Sequence, residues 1–310
     1  MTSPSASSQK RYGITRAVIG GGRDFIEISR AEFMQLQRSR RNMLASLAIE
    51  ELLDCVVENY LELESDMLTV SLRHGMTLDW SWNAFVADKE RVNRRLGNLL
   101  ASARQLMDAT PQQLRSVYGP DSRAARGLKK AQSAAYDKTF GYRLMEALRN
   151  YTQHQGMPVS EISFPQSRAR VKGRMRWRCT GTAKISIREL RDNEKFKKTI
   201  SDELASKSEI DLLPLVREYV AGIGSSFNRL GEVMNDDVKE WNATLRGAVA
   251  RAKETFSVGV VGLKAVEHDR DSRTYTQDCW LNEDPLDRHR ALARKNRALH
   301  LVATKYVSSE

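Results

Sequence analysis

The sequence has little of what marks several large protein classes. Three cysteines occur in 310 residues, Cys55, Cys179 and Cys279. They are scattered and include no Cys-x-x-Cys pair, which argues against a disulfide framework and a cysteine-built zinc site; reduced thiols, as in a cytoplasm, are expected. No stretch approaches the roughly 18 to 20 apolar residues that cross a bilayer, so no membrane partner is expected. Met1 to Arg11 is Ser-rich and polar without an apolar core, the composition of a loose tail rather than a secretory signal. There is no internal repeat, no Walker loop, no Ser-His-Asp arrangement and no acidic pair. Gly20-Gly21-Gly22 lacks dinucleotide-loop spacing and opens no helix. His268, Asp269 and Asp271 match no dense metal site. Neither a metal nor a cofactor is expected.

What is present is charge on an ordinary globular background. The chain is 41% hydrophobic and 29% charged, enough for one large domain or two modest ones. Its net charge is +11 and its pI near 9.6. A field of that sign attracts and steers polyanions, which points to nucleic acid as partner.

The hydrophobic pattern gives the fold class: mainly α with β-hairpin insertions. Ile14 to Ile19 and Phe25 to Ser29 read as short strands around the glycines. From Met43 a helical period takes over, with Leu44, Leu47, Leu52, Val56 and Tyr60 on one stripe. A second helix carries Phe85, Val92, Leu96, Leu99, Ala103 and Leu106. Pro111 and Tyr118-Gly119-Pro120 read as breaks. Asp121 is a candidate N-cap for one long third helix, running from Ala124 through Leu148 and Tyr151 to a stop at Gly156-Met157-Pro158. Val159 to Phe164, Arg174 to Cys179 and Thr182 to Leu190 read as strands, the last two as a hairpin about Thr180-Gly181. Ile210 to Phe256 is a nearly unbroken helical stripe in which Gly222 and Gly224 are candidate kinks. Val258 to Val266 and Thr274 to Leu281 read as another strand pair, and Pro285 starts a basic helix through Tyr306. The expected organisation is a tail and hairpin (1–35), a helical block (36–158), a basic hairpin insertion (159–192), long helices completing the bundle (193–257), and a hairpin with a C-terminal helix (258–310).

The end of the third helical pattern carries the chemistry. Glu146-Ala-Leu-Arg149-Asn150-Tyr-Thr-Gln-His154 sets an arginine, an asparagine and a histidine in the last turns before the stop. Imidazole exchanges protons near neutrality. A guanidinium holds phosphate through two hydrogen bonds. Together they suit attack of an RNA 2′-hydroxyl on the adjacent phosphate. Asn150 and His154, four apart, share a face, so the amide is placed to orient the ring. Arg149 lies about 140° from His154 around an ideal helix, so convergence is expected from a two-fold dimer rather than from one chain.

Arg-Asn-x-x-x-His at a helix end resembles the motif of the HEPN superfamily. The resemblance covers at most Met43 to Pro158 and one later helix. It implies a HEPN-like bundle and a homodimeric, metal-independent endoribonuclease of a toxin, phage-defence or CRISPR system, with Arg149 and His154 as the catalytic pair and Asn150 as polar helper. A partner antitoxin or complex subunit would fit that setting. Directly downstream, Arg168, Arg170, Lys172, Arg174, Arg176 and Arg178 form a ladder that, in one extended segment, projects from a single face and suits RNA, with Trp177 turned toward the core. Arg288, Arg290, Arg294, Lys295 and Arg297 add a basic helix. Two rival readings remain: a non-catalytic nucleic-acid-binding protein using the ladder, and an RNA-docking subunit of a larger ribonucleoprotein.

Overall fold

The computed structural model describes residues 10–16, 25–77, 80–193, 196–256, 262–269 and 275–305. The chain is mainly helical with small antiparallel sheets, as its periodicities imply. No helix among the described residues is long and apolar enough to cross a membrane. The glycine triplet and Asp271 lie outside the described residues.

Contacts divide the chain into two compact units, neither contiguous in sequence. The first comprises Met1–Glu50, Gln112–Ala124 and Gly231–Arg294. Its sheet runs in the order β2 (Phe25–Ile28), β1 (Lys10–Arg16), β8 (Leu263–Asp269), β9 (Tyr275–Trp280), all antiparallel. The two hairpins expected at opposite ends of the chain thus join through β1 and β8. Ile14, Ala265 and Val266 are fully buried, as is Phe33 near the start of helix α1 (Arg30–Met76), whose ring meets Tyr12 at 5.3 Å. The second half of α7 (Leu212–Phe256) and helix α8 (Asp284–Asn296) complete the unit, with Arg246 bridging Glu283 and Asp287.

In α8, His289 is buried with Nε2 2.9 Å from Ser46 Oγ. Burial holds its imidazole below the ordinary 6.5. The unfolded chain therefore takes up a proton here before the folded one does. The contribution of this site is complete above the unfolded value and is lost as pH falls below it. His289→Gln is expected to flatten the decline in thermal midpoint between pH 7 and pH 5; an unchanged slope would sink this assignment.

The second unit comprises Glu51–Pro111, Ala125–Leu230 and Lys295–Glu310. It holds the later half of α1, most of α2 (Trp82–Tyr118), α3 (Arg123–Lys138), α4 (Phe140–His154) and the first half of α7. Leu63, Leu96, Leu99, Leu144, Leu148, Val216 and Tyr219 form its core. Arg217 clasps Glu64 through Nε and Nη2 at 2.7 and 2.8 Å, the bidentate geometry that fixes a side chain in two directions.

Several sequence expectations are corrected here. Leu44 is exposed, and the buried stripe of α1 runs instead through Met43, Leu47, Leu53, Val56 and Tyr60. Pro111 does not end α2, which continues to Tyr118. A proline inside a helix forfeits the bond to the carbonyl four residues back, and buried Leu114 and Val117 beyond it hold the last turns. Asp121 has a φ of 52°, left-handed rather than cap geometry. The expected third helix is two, broken at Thr139, whose φ and ψ are −125° and 139°.

The break has a tertiary cause. Glu218 of α7 accepts the Gly141 backbone N–H at 2.8 Å, satisfying one of the orphan donors at the start of α4. A Cβ on Gly141 would stand 2.6 Å from the Leu215 carbonyl. Gly141→Ala is therefore expected to force α4 away from α7 and cost about 1–3 kcal/mol, the usual penalty of overpacking. Chemical denaturation checks this; an unchanged midpoint means the two helices do not approach so closely.

Candidate functional site

The buried face of α4 is Gly141, Tyr142, Leu144, Met145, Ala147 and Leu148. That stripe turns Arg143, Glu146, Arg149, Asn150 and His154 outward, to a cleft of about 560 Å³. Arg149 is nonetheless well covered, its side chain 12% exposed. Nη1 donates to Glu146 Oε2 at 2.7 Å and Nη2 to Asn150 Oδ1 at 3.2 Å. The other Glu146 oxygen accepts the Tyr219 hydroxyl at 2.9 Å. Burial first, and then the Glu146 charge, push the Tyr219 phenol well above its ordinary range, so it acts as a fixed donor. Tyr219, Glu146, Arg149 and Asn150 thus form a relay from core to cleft. Arg149 Nε is buried and has no hydrogen-bond partner.

His154 is exposed at the last residue of α4 and carries no ring hydrogen bond among the described residues. The structure brings Arg149, Asn150 and His154 to one cleft within a single chain, which the ideal helical angle did not anticipate. The guanidinium is held there between Glu146 and Asn150. Asn150 therefore orients the arginine and not the imidazole.

The cleft contains residues that the sequence did not single out. Arg143 bridges Glu203 at 2.7 Å and donates to the carbonyls of Tyr136, Asp137 and Thr139, pinning the corner between α3 and α4. Lys197 donates to the Tyr136 hydroxyl and lies 5.0 Å from that ring's centre. No carboxylate among the described residues pairs with it. Tyr151 and Phe196 meet edge to face at 6.3 Å on the same wall. Phe196 and Lys197 lie between the short helices α5 (Ile187–Arg191) and α6 (Lys198–Glu203). More than forty residues separate Lys197 from the motif, and no spacing rule connects them.

The basic ladder occupies a hairpin of different topology from the one expected. β4 (Gln166–Val171) pairs with β5 (Arg174–Cys179) about a two-residue turn at Lys172 and Gly173, whose φ values are 46° and 77°. β3 (Val159–Ser163) pairs with β6 (Thr182–Ser186), which also pairs with β7 (Glu209–Asp211). No hairpin forms at Thr180-Gly181, and Ile187 to Arg191 is helical rather than strand. The two ladders share one register offset, so β3 through β6 make one long hairpin. Its pairing lapses where Pro165, lacking an N–H, stands beside Phe164.

The base of this hairpin is anchored and its tip is not. Asn93 of α2 clamps Val159, accepting its N–H at 2.9 Å and donating to its carbonyl at 3.0 Å. Phe164 is buried and stacks on His74 at 4.2 Å, and His74 Nε2 lies 2.9 Å from Asp88. A Cβ on Gly181 would stand 2.2 Å from Ser71 Oγ of α1, so a larger residue there would force the Ser71 side chain to shift. Beyond Pro165 no described side chain of the arm is buried.

A two-residue turn pairs each even position with an odd one, so the ladder does not share a face. Arg168 and Arg170 stand opposite Trp177 and Met175 on one side. Arg174, Arg176 and Arg178 stand opposite Val171, Ala169 and Ser167 on the other. Trp177 is not turned to a core: it is 65% exposed, with the Arg168 guanidinium 4.9 Å from its ring centre. Among the described residues no carboxylate pairs with Arg168, Arg170, Lys172, Arg174 or Arg178. In α8, by contrast, Lys295 is neutralised by Asp54 and Glu58.

No group of three or more His, Cys, Asp or Glu side chains placed to hold a metal ion occurs among the described residues. Comparison of the chain with protein-family models, with curated proteins and with solved structures found no match.

Proposed function

We propose that this protein is an endoribonuclease of the HEPN type, using Arg149 and His154 without a metal and acting in phage defence or as a toxin. The observation that carries the reading is the shared cleft: an exposed imidazole and an oriented guanidinium on one helix end, with the Lys197 ammonium, paired with no carboxylate among the described residues, beside them. His154 would move the proton between the 2′-hydroxyl and the departing 5′-oxygen. Arg149 and Lys197 would hold the phosphate as its charge builds. The products would be a 2′,3′-cyclic phosphate and a 5′-hydroxyl. In a homodimer, as the HEPN resemblance implies, two such clefts would serve one RNA. The test is incubation of the purified chain with cellular RNA in EDTA, with end-group analysis. Cyclic phosphate ends, lost in His154→Ala, are expected; 5′-phosphate ends, or cleavage that survives His154→Ala, would reject the mechanism.

A second reading rests on a different observation. The Arg149 charge is already matched by Glu146, while Arg168, Arg170, Lys172, Arg174 and Arg178 of the exposed arm have no carboxylate partner among the described residues. A nucleic-acid-binding protein with a structural motif, alone or as a subunit of a ribonucleoprotein, would look the same. RNA binding without cleavage, lost on neutralising the arm and unchanged by His154→Ala, selects it.

A further inference from the structure

The second half-buried guanidinium that demands an explanation lies in the other unit, on α1. Several other half-buried guanidiniums are matched by carboxylates: Arg217 by Glu64, Arg246 by Glu283 and Asp287, Arg149 by Glu146. Arg40 is not. Its Nη1 is shut off from solvent without a hydrogen-bond partner, and no carboxylate among the described residues pairs with it. Burial depresses its pKa, as expected for a cation that loses water and gains no anion. The neighbouring Cys279 thiol supplies no charge, since burial pushes it up to about 11.

Two residues along, Asn42 is 2% exposed and its Oδ1 also lacks a partner. A polar atom shut off from water without a partner is costly, so two within one helical turn call for a missing partner. Both border one open cleft of about 1370 Å³, formed by α1, the end of α2, α7 and strand β9. At 100° per residue, Arg38 and Arg41 lie on the helix face between them. Both are exposed, and neither pairs with a carboxylate among the described residues. Exposed Met34, Leu44 and Trp280 add apolar wall. Of the acids there, Asp237 accepts the Tyr118 hydroxyl at 2.8 Å and Asp278 pairs with Lys264 at 2.6 Å, leaving exposed Glu240.

We infer that this cleft binds a nucleotide, its phosphate held by Arg38, Arg40 and Arg41 and its base or sugar donating to Asn42. A bare phosphate would satisfy the arginines and could donate a P–OH to Asn42, but it offers nothing to the apolar wall. A nucleotide carries all three features: anion, hydrogen-bond donors and a flat apolar body. It comes either free or within a strand of RNA, and the same groups would receive both. The site is independent of the Arg149–His154 cleft and of whatever that cleft does.

The test uses the full chain, with ATP and an uncleavable 2′-O-methyl RNA octamer as probes, read by calorimetric titration and thermal shift. The octamer is titrated into a chain with Arg174, Arg176 and Arg178 changed to Gln, so that the arm does not contribute. At least one probe is expected to bind and raise the thermal midpoint. ATP binding identifies free nucleotide as the ligand, and octamer binding alone identifies a strand. Arg40→Met and the pair Arg38→Ala with Arg41→Ala should each weaken binding at least tenfold. Arg40→Met should also raise the midpoint of the unliganded chain, because it removes an unmatched cation. Binding by neither probe, or binding that survives both sets of changes, overturns the inference. So does an Arg40→Met chain less stable than its parent, which would make the guanidinium a structural element.

Discussion

His154→Ala is expected to lower the rate of RNA cleavage by about 10²–10⁴, the span of a lost general acid–base group, while stability shifts by no more than about 0.5 kcal/mol. The separation is possible because His154 is exposed and makes no ring hydrogen bond among the described residues. Arg149 allows no such clean experiment. Its removal leaves Glu146 and Tyr219 without a cation at the edge of the core, so stability and activity would fall together. The informative change is Glu146→Gln. The amide keeps the shape and one acceptor for the relay, but the matching charge disappears. If the guanidinium acts on phosphate, a chain carrying both Glu146→Gln and His154→Ala should bind RNA several-fold more tightly than His154→Ala alone. Equal affinity would assign the pair to holding α4 against α7 and nothing more.

The helices were legible because each long apolar stripe in α1, α2 and α7 answers to one period, and burial follows that period whatever the neighbours are. What was not legible depends on partners far along the chain. The break at Thr139 needs Glu218, 77 residues beyond the Gly141 it caps. The union of β1 with β8 joins residues such as Lys10 and Asp269, which no local pattern connects. The motif residues themselves were readable, since their identities and spacing carry the chemistry. Their shared cleft was not, because it depends on side-chain bonds of Arg149 to Glu146 and Asn150 and on Lys197 arriving from a separate loop. The arm shows a subtler failure. Its charges are plain in the sequence, yet one tight turn at Lys172-Gly173 divides them between two faces and brings Trp177 out with one set.

That division makes the arm a sharper probe of binding than a single charged face would be. Changing Arg174, Arg176 and Arg178 to Gln is expected to weaken RNA binding and to make the salt dependence shallower by about 2 in the slope of log affinity against log salt, from three lost phosphate contacts at about 0.7 each on a single strand. Strand side chains two apart stand about 6.6 Å from one another, which lets them reach successive phosphates. Trp177→Ala, on the other face, should act differently. Losing an exposed stacking platform costs about 1–3 kcal/mol per base, roughly 5- to 150-fold in affinity, with the salt slope unchanged. Thermal stability should hold in both cases, because no described side chain of the arm beyond Pro165 is buried. Filter binding across a salt series reads all of this. A triple arginine variant that keeps the parental slope would remove the arm from the RNA interface. A Trp177→Ala loss confined to low salt would mean that Trp177 acts by holding Arg168 rather than by stacking on a base.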